Sequence, residues 1–222
     1  MLSSASQLRQ KGADDLKGRW GEAALFFFVY VITTAACSGI FGSLVPFLGG
    51  LIVGWLLLPL GWGVGMAFLA NHRKEDNDPF NLSHFMDGYR DFSRIFLTLL
   101  LRYIYTLLWC LLFIIPGIIK SLSYAMTPYI LRDHPEMKNN AAIELSMDMM
   151  EGHKADLFWL QLTFIGWAIL CIFTLGIGFF WLTPYISSTN ANFYEEVKAE
   201  YEGRPIEKPT DLGESTYNKS ER

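Results

Sequence analysis

Residues 23–72 read AALFFFVYVITTAACSGIFGSLVPFLGGLIVGWLLLPLGWGVGMAFLANH, fifty residues with no aspartate, glutamate, lysine or arginine. A soluble domain scatters charge along every surface element, because its charged side chains are almost never fully buried. A helix needs about 20 residues to cross a hydrocarbon core about 30 Å thick. The stretch is long enough to cross twice, and Pro46-Phe47-Leu48-Gly49-Gly50 supplies a turn between crossings. The spacing predicts membrane spans over residues 23–43 and 51–70.

The same sorting recurs further along. Residues 157–194 carry no charge, and residues 95–131 carry only Arg102 and Lys120. Gly176-Ile177-Gly178 divides the first of these into spans at 157–175 and 179–191, the second continuing as helix to about Glu200. In the other, a span over 95–115 ends at the helix breaker Pro116-Gly117. Residues 118–131 then form a fourth, short span or a re-entrant segment, since at 1.5 Å per residue they reach only about 21 Å.

Basic residues orient the chain. Arg9, Lys11, Lys17 and Arg19 precede the first span. Arg73, Lys74, Arg90 and Arg94 lie between the second and third, and Arg132, Lys138 and Lys154 between the fourth and fifth. The opposite turns carry no charge except nearby Lys120. The expected fold is therefore an all-α polytopic bundle, six spans in three hairpins with both termini cytoplasmic. Residues 1–22 form an amphipathic lead-in, residues 23–199 the membrane domain and residues 200–222 a disordered acidic tail. Trp55, Trp109 and Trp181 near the outer turns, with Trp20 and Trp159 at the inner boundaries, fit aromatic belts; Trp62 and Trp167 read as packing residues.

Three lead-ins share an order of apolar, charged, glycine, then aromatic and basic groups: Leu16-Lys17-Gly18-Arg19-Trp20, Met86-Asp87-Gly88-Tyr89-Arg90 and Met150-Glu151-Gly152-His153-Lys154. They read as short helices on the inner leaflet, each ended by glycine, in a threefold repeat or by coincidence. Asp133 is placed to cap a helix opening near Pro135, with Met137, Ala141, Leu145 and Met149 on its apolar side and Gly152 closing it. That side faces lipid, the underside of the bundle or a partner.

Arg102 is the intramembrane charge to which a function attaches by default; the alternative is that it snorkels to the phosphate layer. Lys120, Trp20 and Lys154 join it as candidate lipid or anion contacts. Gly61 and Gly65 form a GxxxG that serves close helix packing or a dimer face. Pro59, Pro128 and Pro184 each interrupt an even-numbered span, and with Pro116, Gly117, Gly152, Gly176 and Gly178 mark the structural breaks. Cys37, Cys110 and Cys171, each inside an apolar stretch, read as packing residues and as neither a disulfide framework nor metal ligands. Small residues before Cys37 resemble a cleavage site, but the run continues past it, as in a retained span. His72, His84, His134 and His153 form no tight metal pair, no cofactor motif appears, and a net charge of −4 argues against nucleic-acid binding. No acid, base or metal constellation lies at membrane depth, so no enzymatic centre is expected.

Leu16-Lys17-Gly18 with Trp20, Pro116-Gly117-Ile118-Ile119-Lys120, Tyr124 and Pro128-Tyr129-Ile130-Leu131 form one part of a longer ordered set. The rest is Pro135, Ala142, Ser146, Met149-Met150, Gly152-His153-Lys154, Phe164-Ile165-Gly166-Trp167, Gly176-Ile177-Gly178, Pro184-Tyr185 and Phe193-Tyr194. By these residues the chain resembles a bacterial family of integral membrane proteins, domain of unknown function 975, and more distantly the membrane domains of glycerophosphodiester phosphodiesterases. The resemblance implies a bacterial cytoplasmic membrane and supplies no reaction or ligand. Asp148 and Glu151 depart from the basic character expected there. The expected function is non-catalytic: binding lipid or organising a membrane-protein partner or second copy at the inner leaflet, through the glycine lead-ins. The alternative is a small transporter or exporter with a cavity near Arg102 and kinked even-numbered spans.

Overall fold

Ser4 opens the first helix with a reciprocal cap: the Gln7 N–H donates to its hydroxyl, and its own N–H donates to the Gln7 side chain. A computed structural model describes residues 2–44, 49–75 and 77–203, with the side chains of 41–44 and 49–52 left aside. Among these residues the chain is helical without strands: α1 (Ala5–Asp15), α2 (Trp20–Leu44), α3 (Gly49–Leu56), α4 (Leu58–Arg73), α5 (His84–Arg90), α6 (Phe92–Leu112), α7 (Ile114–Ser123), α8 (Thr127–Asp133), α9 (Asn140–Met149), α10 (Lys154–Phe173) and α11 (Phe179–Tyr201). Most of the expected turn at Pro46 and nearly all of the expected tail lie outside the described residues.

Among the described residues four helical segments are long and apolar enough to cross a membrane: Trp20–Ile40, Val53–Arg73, Phe92–Leu112 and Lys154–Phe173. The second is central, with 61% of its most apolar window buried against 11%, 17% and 22% for the others. The peripheral helices present apolar side chains outward; Leu111 is 82% and Phe173 81% exposed. Water does not favour so broad an apolar surface, whereas lipid accommodates it. α11 is not among the four: Ser187, Ser188, Thr189, Asn190 and Asn192 lie around its middle, and Glu195, Glu196, Lys198 and Glu200 follow.

Side-chain pairs give the helix directions. Trp20 meets Tyr185 and Phe27 meets Phe180, so α2 and α11 run antiparallel. Gln161 meets Asn190 and Phe164 meets Tyr185, so α10 and α11 also run antiparallel, and α2 and α10 are parallel. α6 is antiparallel to α7 and α8: Gly117 packs on Cys110 near one end, and Arg94 reaches the Leu131 carbonyl at the other.

Several boundaries differ from expectation. α6 begins at Phe92 and ends at Leu112, where Phe113 is extended; Pro116 and Gly117 lie in the first turns of α7, where proline loses no helical hydrogen bond. Pro59 and Pro128 likewise open α4 and α8 just after a break, whereas α11 continues through Pro184. Asp133 ends α8 instead of capping a helix at Pro135, and α9 opens at Asn140. Its buried face is Ala142, Ile143, Ser146 and Met149, with Ala141 exposed. Of the three lead-in glycines, Gly18 (φ 81°) and Gly152 (φ 84°) turn in the left-handed region. Gly88 sits inside α5, against the Pro59 carbonyl. α1 docks on α11, its Gly12 against Thr189 and its Lys11 on Glu196 at 2.8 Å.

Candidate functional site

Arg102 has ten helical residues on either side in α6, which places it roughly 15 Å from each end. It is deeper than a span beginning at residue 95 implied. It borders a cavity of about 430 Å³ between α2, α3, α4, α6 and α8. Polar groups in that wall come from Tyr30, Thr34, Ser38, Trp62 and Tyr103. The Thr34 hydroxyl is taken up by its own helix, donating to the Tyr30 and Val31 carbonyls. Among the described residues the Arg102 guanidinium has no hydrogen-bond or ion-pair partner; it lies 5.5 Å over the Tyr103 ring.

A second cavity of about 280 Å³ also borders Arg102 and extends toward α10 and α11, where the Gln161 amide donates to Asn190 at 2.8 Å. Gly61, Trp62, Arg102 and Pro128 line both cavities. The Trp62 indole N–H donates to the Pro128 carbonyl at 2.8 Å, a polar role that its place in an apolar run did not announce. Gly61 and Gly65 are cavity wall and not a helix seam. A Cβ at Gly65 meets nothing within 4 Å, and one at Gly61 meets only the Tyr30 side chain. The close helix contact instead uses Gly63, against the His84 carbonyl.

α8 carries Pro128 into the site and is held by two polar devices. Between α7 and α8 the Ser146 hydroxyl donates to the Ser123 carbonyl at 2.8 Å and accepts the Met126 N–H at 3.2 Å, so one buried side chain satisfies two groups freed by the break. At the far end, Arg94 donates to the carbonyls of Leu131, His134 and Met137, and Asn139 N–H donates to the Thr98 hydroxyl. The segment leading into α9 is thereby strapped to α6.

The charges cluster at one end of the molecule. Asp133 accepts from Arg73 through both oxygens at 2.7 Å, from Tyr194 at 2.8 Å and from Lys198 at 2.5 Å. Burial alone would raise the Asp133 carboxyl, but these hydrogen bonds outweigh it and hold the group well below the usual carboxylate range. Burial, followed by the Asp133 charge, pushes the Tyr194 hydroxyl above the usual tyrosine range. Arg73 also binds Glu195 at 2.7 Å, and Arg132 pairs with Glu75. Asp15 joins His72 at 2.9 Å and Asn192 at 2.5 Å, tying α1 to α4 and α11. These pairs link chain positions 57 to 177 apart, which no local motif reveals.

The other sequence candidates are dispersed. Lys120 lies 5.4 Å over the Trp109 ring and 3.7 Å from the Met147 sulfur, away from Arg102. Trp20 packs on Tyr185 at 6.0 Å, and Lys154 starts α10, half-buried. Gly176 (φ 86°) makes the turn before α11, where Gly178 packs on Cys171.

Residues 111–201 match the family described as "Protein of unknown function (DUF975)". The matched segment covers α7 to α11, with Pro128, Ser146, Gln161 and Asn190; Trp20, Trp62 and Arg102 lie outside it. No curated protein and no solved structure matches the chain.

Proposed function

We propose that the chain is a bacterial integral membrane protein that crosses the cytoplasmic membrane six times as three hairpins, with both termini in the cytoplasm. It is non-catalytic and binds an anionic group, the phosphate of a lipid or a free phosphate-type anion, in the cavity at Arg102. The observation that carries this reading is a mid-helix guanidinium at a cavity of about 430 Å³, with no anionic partner among the described residues. A charge at membrane depth is costly until it is paired. The planar guanidinium fork suits phosphate oxygens, and Tyr30 and Ser38 supply further hydroxyls. Contact through a methionine face on α9 is less well supported, since Met149 is buried and Met137, ahead of the helix, is half-buried.

Native mass spectrometry tests the site. Wild-type protein is expected to retain phosphatidylglycerol, Arg102→Ala to lose most of it, and Arg102→Lys to keep part. Retention that is equal in wild type and Arg102→Ala overturns the reading. Thermal shift of delipidated protein with inorganic phosphate distinguishes a free-anion site from a headgroup site, because a ligand bound only by the native state raises the melting temperature.

A further inference from the structure

The two cavities at Arg102 lie at different depths. The first reaches Thr34 and Ser38 on α2, roughly 21 and 27 Å along the helix from Trp20. The second reaches Leu157 and Gln161 on α10, roughly 4 and 10 Å from Lys154. Since α2 and α10 are parallel and begin at the charged end, one cavity extends into each half of the bundle's depth, by its lining residues. Arg102 belongs to both, and so do Trp62 and Pro128, joined by the indole N–H hydrogen bond.

Given the anion-binding reading, we propose that the two cavities are the halves of one transmembrane route for a phosphate-bearing anion. Arg102 is the shared binding station, and the Trp62–Pro128 contact is the partition that opens for passage. Three features suit the partition to movement. It is closed by one neutral hydrogen bond. Pro128 rides on a seven-residue helix separated from α7 by a break that one serine hydroxyl bridges. The facing wall of α4 is bare at Gly65, where a Cβ would meet nothing within 4 Å, and at Gly61 only the Tyr30 side chain comes near. The wall groups beyond Arg102 are neutral: hydroxyls of Tyr30 and Ser38 on one side, amides of Gln161 and Asn190 on the other. They can hand an anion on without trapping it.

The test uses full-length protein in phosphatidylcholine vesicles carrying a tail-labelled fluorescent phosphatidylglycerol and loaded with radiolabelled inorganic phosphate and glucose. Lipid flipping and phosphate efflux are followed separately, so that the lipid and free-anion routes are told apart. Trp62→Ala is expected to speed one of them about tenfold, as removal of a barrier worth about 1.4 kcal/mol would. Trp62→Phe, which keeps a ring but loses the donor, is expected to act in the same direction if the alanine variant does not fold. Gly65→Leu, filling the second cavity, is expected to abolish the gain, and Arg102→Ala likewise. Unchanged rates in every folded Trp62 variant that still retains phosphatidylglycerol or is stabilised by phosphate overturn the route and leave the Arg102 site standing. Parallel release of glucose would mark a general leak and also overturn it. Loss of anion binding by wild type would instead remove the Arg102 reading on which the route rests.

Discussion

At the break between α7 and α8, Ser146 serves two backbone groups that the helices leave free, the Ser123 carbonyl and the Met126 N–H. In a low-dielectric interior an unpaired peptide group costs more than a hydrogen bond gains. Ser146→Ala should therefore lower stability by about 1–3 kcal/mol, read as a lower melting temperature in detergent. An unchanged melting temperature would mean that the hydroxyl is dispensable. Arg102 shows the converse condition, a donor-rich group whose neighbours leave it open. Sequence could single out Arg102, because it is one of two charges in an apolar run. It could not single out Ser146, whose importance depends on where the break falls. Nor could it foresee the Trp62 hydrogen bond, since indoles in apolar runs are ordinarily packing residues.

Among the elements, two helix pairs are joined by the same small device. Gly117 lies seven residues after Cys110, and Gly178 seven residues after Cys171, each packed on its cysteine. A Cβ at Gly117 would come within 2.7 Å of Cys110 Cα and 2.9 Å of its nitrogen, so backbone must move. A Cβ at Gly178 meets mainly the Cys171 side chain, with Sγ at 2.6 Å and Cβ at 3.1 Å. The double-mutant outcome should differ accordingly. Cys171→Ala should recover much of the stability lost in Gly178→Ala, while Cys110→Ala should recover little of that lost in Gly117→Ala. Equal recovery in thermal melts of both pairs would contradict this assignment. The threefold lead-in pattern divides on similar grounds: Gly18 and Gly152 meet the conformational demand of a left-handed turn, while Gly88 meets a steric one against Pro59.

Over the whole molecule, the Asp133 cluster joins α4, α8 and α11 at the charged end. Its folded carboxyl titrates below the ordinary aspartate value, so its stabilisation is complete above about pH 4 and is lost as pH falls through the acid range. Wild type should lose thermal stability on acidification below about pH 4 more steeply than Asp133→Asn, which has no proton to take up there. Parallel slopes in melts over that range would rule the cluster out as the source. The sequence by itself determined that the chain is helical, that its long helices are apolar enough for a membrane, and that charge gathers at one end. Hydropathy and charge are properties of contiguous residues, and backbone hydrogen bonding in lipid leaves an apolar run little choice but helix. Only the tertiary structure decided the site. Tyr30, Trp62, Arg102 and Pro128 come from four helices and meet because those helices pack at particular angles and registers. The same packing decided that Arg102 borders two cavities while Asp133 is surrounded by cations, a difference in environment set by neighbours distant in the chain.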